Sequence, residues 1–289
     1  RWKKRNREEA LSALGAIDRE EGISFTGDLS RFGEESDLWF VIPGRDDPRQ
    51  KGFDVTAVAV AKLLEKDQLI REEGRFIFIP IEGDEGREGL SFLEDLADQY
   101  PRNVIMIAGI WRGGFHNSLA GSAYGGMPSF YEPFGMANRF YLGGTAAIGR
   151  ATGGLVEQII PFPPEGPSSS AIIDMADIYA GVYRTYDLEK PSGFLFLEDR
   201  ESLRSVESDM AAINACSYRT TGVKRLLERT SIPLFNAMAE ELAACISRAA
   251  VFYREERAAY YGMVLSGIGH ITESFSWTQA AREYLGYMK

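Results

Sequence analysis

The sequence predicts a three-layer α/β/α fold with a mainly parallel central sheet and a helical C-terminal part. Continuous apolar runs at residues 38–42, 76–81 and 104–110 are typical of strands buried on both faces. Segments of helical periodicity separate these runs, and their short connections favour right-handed crossovers and parallel strands. Beyond Val223 the chain is rich in Ala, Glu and Arg and keeps a mainly helical pattern to Lys289.

Each element follows from its local pattern. The apolar residues of the segment 1–21 recur at helical spacing among charged residues. We predict helices at residues 1–21, 54–66, 90–100 and 171–186, and strands at residues 37–43, 76–81, 103–110 and 193–197. Asp54 is placed to cap the second of these helices. We expect the first strand of the sheet near Leu38 and the central strand near Phe76.

The composition changes in the middle of the chain. Residues 111–154 are rich in Gly and aromatic residues, which is typical of long loops over one edge of a sheet, where sites often lie. The Pro- and Ser-rich stretch 161–170 is the clearest break. We therefore expect residues 1–160 to form an α/β core with Gly/aromatic loops, and residues 161–289 to continue the core and add the helical region.

Charge limits the classes of partner. The 289 residues are 45% hydrophobic and carry a formal net charge of −10. This balance argues against a nucleic-acid partner, because neutralising phosphates requires a surplus of Lys and Arg. The one dense basic run, residues 1–7, contains Trp2. It is either a solvated helix start or the flank of a membrane anchor upstream of Arg1, and the second interpretation predicts a membrane-associated protein.

The most informative local feature follows the apolar run at 76–81. Asp84 and Glu85 stand side by side between two glycines, and a helical segment begins shortly afterwards. Carboxylates at the carboxyl end of a central parallel strand lie in the crevice where ligands of open α/β sheets bind. Such a pair can hold a metal and supply a base, or it can form an ordinary polar turn.

The order of the elements adds to this pattern. An apolar strand, an apolar helix that begins near Asp54, and a strand that ends in Gly-Asp84-Glu85-Gly are similar, over residues 36–110, to the zinc-dependent aminopeptidase superfamily. That superfamily includes the transferrin-receptor ectodomain and nicastrin. The resemblance implies five metal ligands and a base in the active members: a His on the first strand, a bridging Asp before the first helix, an acidic pair after the next strand, an Asp that ends the third strand and a distant His.

Two of the implied ligands are missing. Residues 39–44 contain no His, and residues 106–111 contain no carboxylate. Losing two of the five implied ligands removes the basis for a two-metal centre, and we therefore predict a metal-free relative without a cofactor. Asp84, in the base position, and Glu85, in a ligand position, would then be vestiges.

The resemblance leaves an active alternative. The bridging Asp is Asp47 or Asp54, and His270 is the candidate for the distant ligand. An active zinc hydrolase would therefore hold its metal with Asp54, Glu85 and His270. The leading prediction is instead a non-catalytic, aminopeptidase-like domain that binds a protein partner or serves as a subunit of a membrane-associated assembly.

Several side chains are candidates for binding at the strand ends. They are Asp54, Arg45, Arg112 and His116. Without a metal, Asp84 and Glu85 would repel each other and favour a cation, and Arg45, Arg87 or Arg112 is expected to pair with them. A third hypothesis is an enzyme that binds a small molecule with the Gly/aromatic loops. The glycine-rich stretches 143–149 and 149–154 lack the context of a dinucleotide fingerprint, and no Gly-x-Ser-x-Gly elbow accompanies His116.

Overall fold

A computed structural model describes residues 1–33, 36–162, 189–199 and 205–288. Within these residues the sheet consists of β1 (Ser24–Thr26), β2 (Trp39–Arg45), β3 (Arg75–Ile81), β4 (Val104–Ala108), β5 (Tyr124–Met127), β6 (Ala146–Arg150) and β7 (Gly193–Phe196). The strand order is β1-β4-β3-β2-β5-β6-β7. β1 is antiparallel to β4, and every other neighbouring pair is parallel. The predicted α/β fold with a mainly parallel sheet is confirmed.

Helices connect and cover these strands. In the first half they are α1 (Trp2–Leu14), α2 (Leu29–Phe32), α3 (Phe53–Lys66), α4 (Gln68–Glu73), α5 (Ser91–Gln99), α6 (Phe115–Gly121), α7 (Ala137–Leu142) and α8 (Gly154–Gln158). Short 3-10 turns lie at Ile17–Arg19 and Gly86–Leu90. The predicted first helix is therefore shorter than expected, since β1 follows within a few residues. The helix predicted at 171–186 falls outside the described residues.

The helical C-terminal part is also confirmed. It comprises α9 (Val206–Arg219), α10 (Gly222–Arg229), α11 (Pro233–Glu255), α12 (Arg257–Ser274) and α13 (Trp277–Tyr287). α11 packs against α3, and α12 contacts α7 and β6. None of the described helices is both long and apolar enough to span a lipid bilayer.

Alternating side chains of the strands build two hydrophobic layers. In β3, Phe76 and Phe78 pack into one layer, and Ile77 and Ile79 pack into the other. The first layer includes residues of α3, α5, α9 and α11, and the second includes residues of α1, α6, α7 and α8. Because helices cover both faces of the sheet, its strands are apolar at consecutive positions. This explains why β2, β3 and β4 are recognisable as continuous apolar runs in the sequence, and the strand predicted at 193–197 is β7.

Two strands lie where the sequence predicts loops. Residues 111–154 contain β5 and β6, and β5 pairs with the middle strand β2. β5 has the sequence Tyr-Gly-Gly-Met, and the ring of Phe140 occupies the space that a side chain at Gly125 would need. These glycines allow close packing against the sheet but remove the apolar pattern of a strand. The predicted edge loops were wrong, and the middle strand is β2 rather than β3.

Candidate functional site

A cleft of about 740 Å³ lies at the carboxyl ends of β2, β3, β4 and β5. From β2, the strands β3 and β4 follow on one side, and β5, β6 and β7 follow on the other. In open parallel sheets, ligands bind in the crevice where the strand order reverses in this way. The reversal here lies between β2 and β5, and residues after both strands line the cleft.

The cleft concentrates positive charge on an acidic protein. None of the described residues that line it is Asp or Glu, although the whole chain has a formal net charge of −10. Its basic side chains are Arg45, Lys51, Arg112, His116 and Arg139. Most of the remaining lining is apolar. Such a cleft suits an anion that is joined to an apolar or aromatic group.

Lys51 lies in the loop after β2 and contacts Glu132 in the loop after β5. Its Nζ is 2.6 Å from Glu132 Oε2, which also accepts a hydrogen bond of 3.1 Å from Ser129 Oγ. The Lys51 side chain remains 21% exposed, against 3% for Glu132. Because an ammonium group has three N–H donors, Lys51 retains donors for a ligand. Glu132 therefore orients Lys51 without filling its hydrogen-bonding capacity.

The backbone brings these two loops together. Phe130 N donates a hydrogen bond of 2.8 Å to Gln50 O. Gly52 has a φ of +65°, and a Cβ at this position would overlap the carbonyl oxygen of Pro128. Only glycine meets both the positive φ and the close approach of the neighbouring chain. The contact between Lys51 and Glu132 therefore depends on Gly52.

A buried ion pair supports the loop after β5. Arg150, at the end of β6, donates hydrogen bonds of 2.9 and 2.5 Å to the two carboxylate oxygens of Glu198. It donates a third, of 2.9 Å, to Phe130 O. Gly154 N donates a bond of 2.8 Å to Glu132 O. These bonds fix the backbone at Phe130 and at Glu132, and so position the Glu132 side chain to contact Lys51.

The structure brings three of the predicted binding residues to this cleft. Arg45 is the last residue of β2, Arg112 lies in the loop after β4 and His116 belongs to α6, and all three line the cleft. That they bind a ligand stays a prediction. Asp54 lies elsewhere, because its buried carboxylate pairs with Arg229 of α10. Gly52 is the N-cap of α3, so the predicted capping role of Asp54 was wrong.

Asp84 and Glu85 follow β3 at its carboxyl end, as predicted. Together with Asp46 and Asp47 they line a second pocket, of about 320 Å³. Glu85 does pair with an arginine, because Arg225 Nη1 lies 2.5 Å from its Oε2. This arginine belongs to α10, which packs over the 3-10 turn that follows β3.

The arginines chosen from the sequence were wrong. Arg45 lies beside Asp47, with 3.6 Å between Nη2 and Oδ2, and Arg87 pairs with Glu94. The physical reason is distance along the chain. Local sequence favours partners on neighbouring loops, whereas α10 reaches Glu85 only through the packing of the C-terminal helices.

The ligands implied for zinc do not form a cluster. His270 lies on α12, where its Nε2 is 2.8 Å from the carbonyl oxygen of Glu157 and its ring packs against Phe275. Within the described ranges, no group of three or more His, Cys, Asp or Glu is placed to hold a metal ion. Asp54, Glu85 and His270 are therefore not assembled as the resemblance implies for an active zinc enzyme.

Asp46, which lines the second pocket, has a strongly raised pKa. Burial raises its pKa from an ordinary value of 3.8 to about 6, and the nearby carboxylates of Glu85, Asp54 and Asp47 act in the same direction, against the opposing effect of Arg225. The folded protein thus holds a proton at Asp46 over a pH range in which the unfolded chain has lost it. The protein therefore loses stability as the pH rises from about 4 to about 6, and above pH 6 the carboxylate is ionised in both states and the loss is complete.

We expect the substitution Asp46→Asn to stabilise the protein at neutral pH. A pKa rise from 3.8 to about 6 corresponds to about 3 kcal/mol, at about 1.4 kcal/mol per pKa unit. The increase in the free energy of unfolding should be absent near pH 4, develop between pH 4 and 6, and remain constant above pH 6. Urea unfolding at several pH values measures it. A stability difference that does not change between pH 4 and pH 7 would contradict the assignment.

Comparison with known proteins bears directly on the predicted family. No family model matches the chain. By sequence it is similar to glycogen synthase 1 of Geobacter sulfurreducens, with 31% identity over 136 residues, covering 43% of this chain and 25% of the relative. It is also 36% identical over 116 residues to the glycogen synthase of Koribacter versatilis, covering 40% of this chain and 22% of the relative.

A third relative agrees with these two. A probable glycogen synthase of Methanocaldococcus jannaschii is 33% identical over 116 residues, which cover 40% of this chain and 21% of the relative. The chain therefore spans about a quarter or less of the length of the relatives it matches.

One solved structure shares the fold. The catalytic domain of starch synthase IV from Arabidopsis thaliana, bound to ADP and acarbose, superposes with a TM-score of 0.54 at 18% identity. The match covers 96% of this chain and 41% of that chain. At this identity the likeness shows a shared fold.

These similarities correct the predicted family and function. The relatives are glycogen synthases, so the resemblance to zinc-dependent aminopeptidases was misleading. The predicted aminopeptidase-like pseudoenzyme in a membrane-associated assembly was wrong, and so was the zinc-hydrolase alternative. The reason is that alternating strands and helices with acidic, Gly-containing turns occur in many unrelated α/β folds.

Sequence reasoning missed Lys51, Ser129, Glu132 and Arg139. Lys51 could have been found, because it lies in the loop after a recognised strand, where ligands of parallel sheets bind. Glu132 and Ser129 follow β5. The sequence does not predict this strand, because two of its four residues are glycines. Once β5 is known to pair with β2, both residues fall at the reversal point of the sheet.

Proposed function

We propose that this chain provides the nucleotide-binding part of a glycosyltransferase related to glycogen synthases. It would bind a nucleoside-diphosphate sugar in the cleft between β2 and β5. The observation that carries the proposal is the position of a cation-lined cleft without carboxylates at the reversal point of the sheet. The sequence similarity to glycogen synthases supports the reaction class.

The cleft has the chemistry that a nucleoside diphosphate requires. Arg45 has a planar fork of N–H donors that matches phosphate oxygens, and Lys51 supplies a compact positive charge. Apolar side chains such as Ile110 and Trp111 line the same cleft, where they can pack against a nucleobase. One end of the ligand would thus meet cations and the other an apolar wall.

The same groups can assist transfer of the sugar. In this reaction the bond between the anomeric carbon and the diphosphate oxygen breaks, and the carbon bonds to an acceptor hydroxyl, whose proton is released to solvent. Negative charge develops on the departing diphosphate. Arg45 and Lys51 would stabilise that charge. Glu132 and Ser129 would hold Lys51 in place, so that little reorganisation is needed.

Binding of ADP tests the proposal. Lys51→Gln removes the positive charge but leaves an amide N–H that can still donate to Glu132. We expect it to weaken ADP binding, measured by calorimetry, by about tenfold or more, as for loss of a hydrogen bond to a charged group.

The matched control is Lys62→Gln. Lys62 lies on α3 and pairs at 3.1 Å with Glu240, away from the cleft lining. This variant should bind ADP as the unmodified protein does. Absence of ADP binding in the unmodified protein, or equal binding by both variants, would refute the proposed function.

A further inference from the structure

The basic side chains of the nucleotide cleft fall into two groups. Arg45 and Lys51 belong to β2 and the loop after it, and they are the proposed partners of the diphosphate. The second group, which we call the outer cations, consists of Arg112 in the loop after β4, His116 on α6 and Arg139 on α7. All three side chains are exposed and line the cleft. They have no assigned role in binding the diphosphate.

The two groups differ in how their charge is balanced. Arg45 lies 3.6 Å from Asp47, and Lys51 lies 2.6 Å from Glu132. In the part of the chain that the structure describes, no carboxylate pairs with any of the outer cations. The positive charge of the cleft that lacks a counter-charge is therefore concentrated at the outer cations, and a bound anion would balance it.

Packing brings the outer cations to one side of the cleft. Arg139 lies over the ring of Phe115, with 5.9 Å between Cζ and the ring centroid. Phe115 and His116 are the first two residues of α6, and Arg112 lies in the turn that leads into this helix. Glu20, whose carboxylate lies beside this turn, forms no ion pair with Arg112. The contact between α7 and α6 thus gathers cations from both segments on one wall.

The sheet separates the outer cations from the diphosphate subsite. β3 lies between β2 and β4. Neighbouring strands are about 4.8 Å apart, so the loop that carries Arg112 begins about 10 Å from the end of β2. A diphosphate is compact, because one oxygen bridges its two phosphorus atoms. Bound at Arg45 and Lys51, it accounts for the first group of cations and leaves the second for another anionic group.

The chemistry of the outer cations matches a phosphate monoester. At neutral pH such a group carries a charge of about −1.5 to −2 and has three acceptor oxygens. The planar forks of Arg112 and Arg139 match pairs of phosphate oxygens, and His116 can donate a further hydrogen bond. A carboxylate has a single charge and two oxygens, so it would leave part of this capacity unused.

We propose that the outer cations bind a phosphate monoester carried by one of the substrates, in addition to the diphosphate of the nucleotide. The arrangement of the cations supports the second anion, and its assignment to a substrate of sugar transfer rests on the proposed function. The ribose of the nucleotide or the acceptor sugar can carry such a phosphate. Both sources present the same group to the same wall of the cleft, and binding measurements separate them.

Calorimetric titration with two matched series of ligands distinguishes the sources. The first series compares AMP with adenosine 2′,5′-bisphosphate and adenosine 3′,5′-bisphosphate. The second compares glucose with glucose 1-phosphate and glucose 6-phosphate, with and without saturating ADP. In one series we expect a ligand with the added phosphate to bind about tenfold or more tightly than its parent compound, as for new hydrogen bonds to a charged group. A gain in the first series assigns the phosphate to the ribose, and a gain in the second assigns it to the acceptor.

Variants of the outer cations locate this gain. Arg112→Gln and Arg139→Gln should each remove most of it, because each loses a charged donor to the added phosphate. The matched control is Arg102→Gln. Arg102 is exposed and precedes β4, at the edge of the sheet opposite the cleft. This variant changes the net charge by the same amount and should keep the gain.

The outcomes separate this proposal from the proposed function. It is overturned if no ligand with an added phosphate binds more tightly than its parent compound, or if Arg102→Gln and Arg139→Gln reduce the gain equally. ADP binding that depends on Lys51, without any gain from an added phosphate, would refute the role of the outer cations alone. Failure of AMP and ADP to bind, with a gain for a glucose phosphate that depends on Arg139, would instead refute the nucleotide proposal alone.

Discussion

Replacing Arg229 with Met should lower the free energy of unfolding by about 3–5 kcal/mol, as expected when one member of a buried ion pair is removed. Arg229 is fully buried and pairs with Asp54, which is 5% exposed. It also donates to Pro48 O at 2.7 Å, to Ile213 O at 3.0 Å and to Ser217 Oγ at 2.6 Å. One guanidinium group thus joins α3, α9, α10 and the loop after β2.

The loss would come mainly from Asp54. Without Arg229 its carboxylate would stay buried with no positive partner, and a charge in that position is costly. The double variant Asp54→Asn, Arg229→Met should therefore recover part of the stability, because it removes both charges. Urea unfolding of the two single variants and the double variant measures the coupling.

Arg219→Met provides the control. Its side chain is 64% exposed and pairs with Glu228 at 3.3 Å, and an exposed pair of this kind contributes at most about 1 kcal/mol. Equal effects of Arg219→Met and Arg229→Met would show that the buried pair does not stabilise the packing of α9 and α10 against α3 and the loop after β2. A double variant no more stable than Arg229→Met would show that the unpaired Asp54 is not the source of the loss.

The second large effect is expected from Gly52→Ala, which should both destabilise the fold and weaken ADP binding. The methyl group would overlap the carbonyl oxygen of Pro128, and the backbone has a φ of +65°. A left-handed conformation costs a non-glycine residue about 1–2 kcal/mol, and overpacking typically adds about 1–3 kcal/mol. The loop would relieve the overlap by moving, which would separate Lys51 from Glu132.

Gly86→Ala distinguishes the two causes. Gly86 also has a positive φ, of +58°, but a Cβ there would have no atom within 4 Å. In this variant the free energy of unfolding should fall only by the cost of the left-handed backbone conformation, about 1–2 kcal/mol. The variant should bind ADP normally. If Gly52→Ala bound ADP as tightly as Gly86→Ala does, the close approach of the two loops would not matter for the nucleotide.

Local sequence pattern was enough to predict the class of fold. β2, β3 and β4 are buried on both faces, so each is a continuous apolar run that is recognisable without knowledge of its neighbours. Their parallel pairing followed from the helices between them, and the helical C-terminal part followed from composition and periodicity. These properties depend on residues close together in the chain.

Local sequence pattern predicted only part of the candidate site. Arg45, Arg112 and His116 were found because they follow or flank recognisable strands. Glu132 was not, because β5 contains two glycines that make room for Phe140 and so lacks an apolar pattern. The family was misjudged for a related reason, since acidic turns after strands arise from turn chemistry in many folds.

Tertiary structure decided which charges meet. Arg225 and Arg229 lie more than a hundred residues from Glu85 and Asp54 in the chain, at separations of 140 and 175 residues. Nothing in the local sequence distinguishes them from exposed arginines such as Arg219. They are buried because α10 packs over the loops after β2 and β3, and a buried charge must find an opposite charge. Residue type therefore predicted that the carboxylates would need arginines, and only the packing of the helices selected which arginines these are.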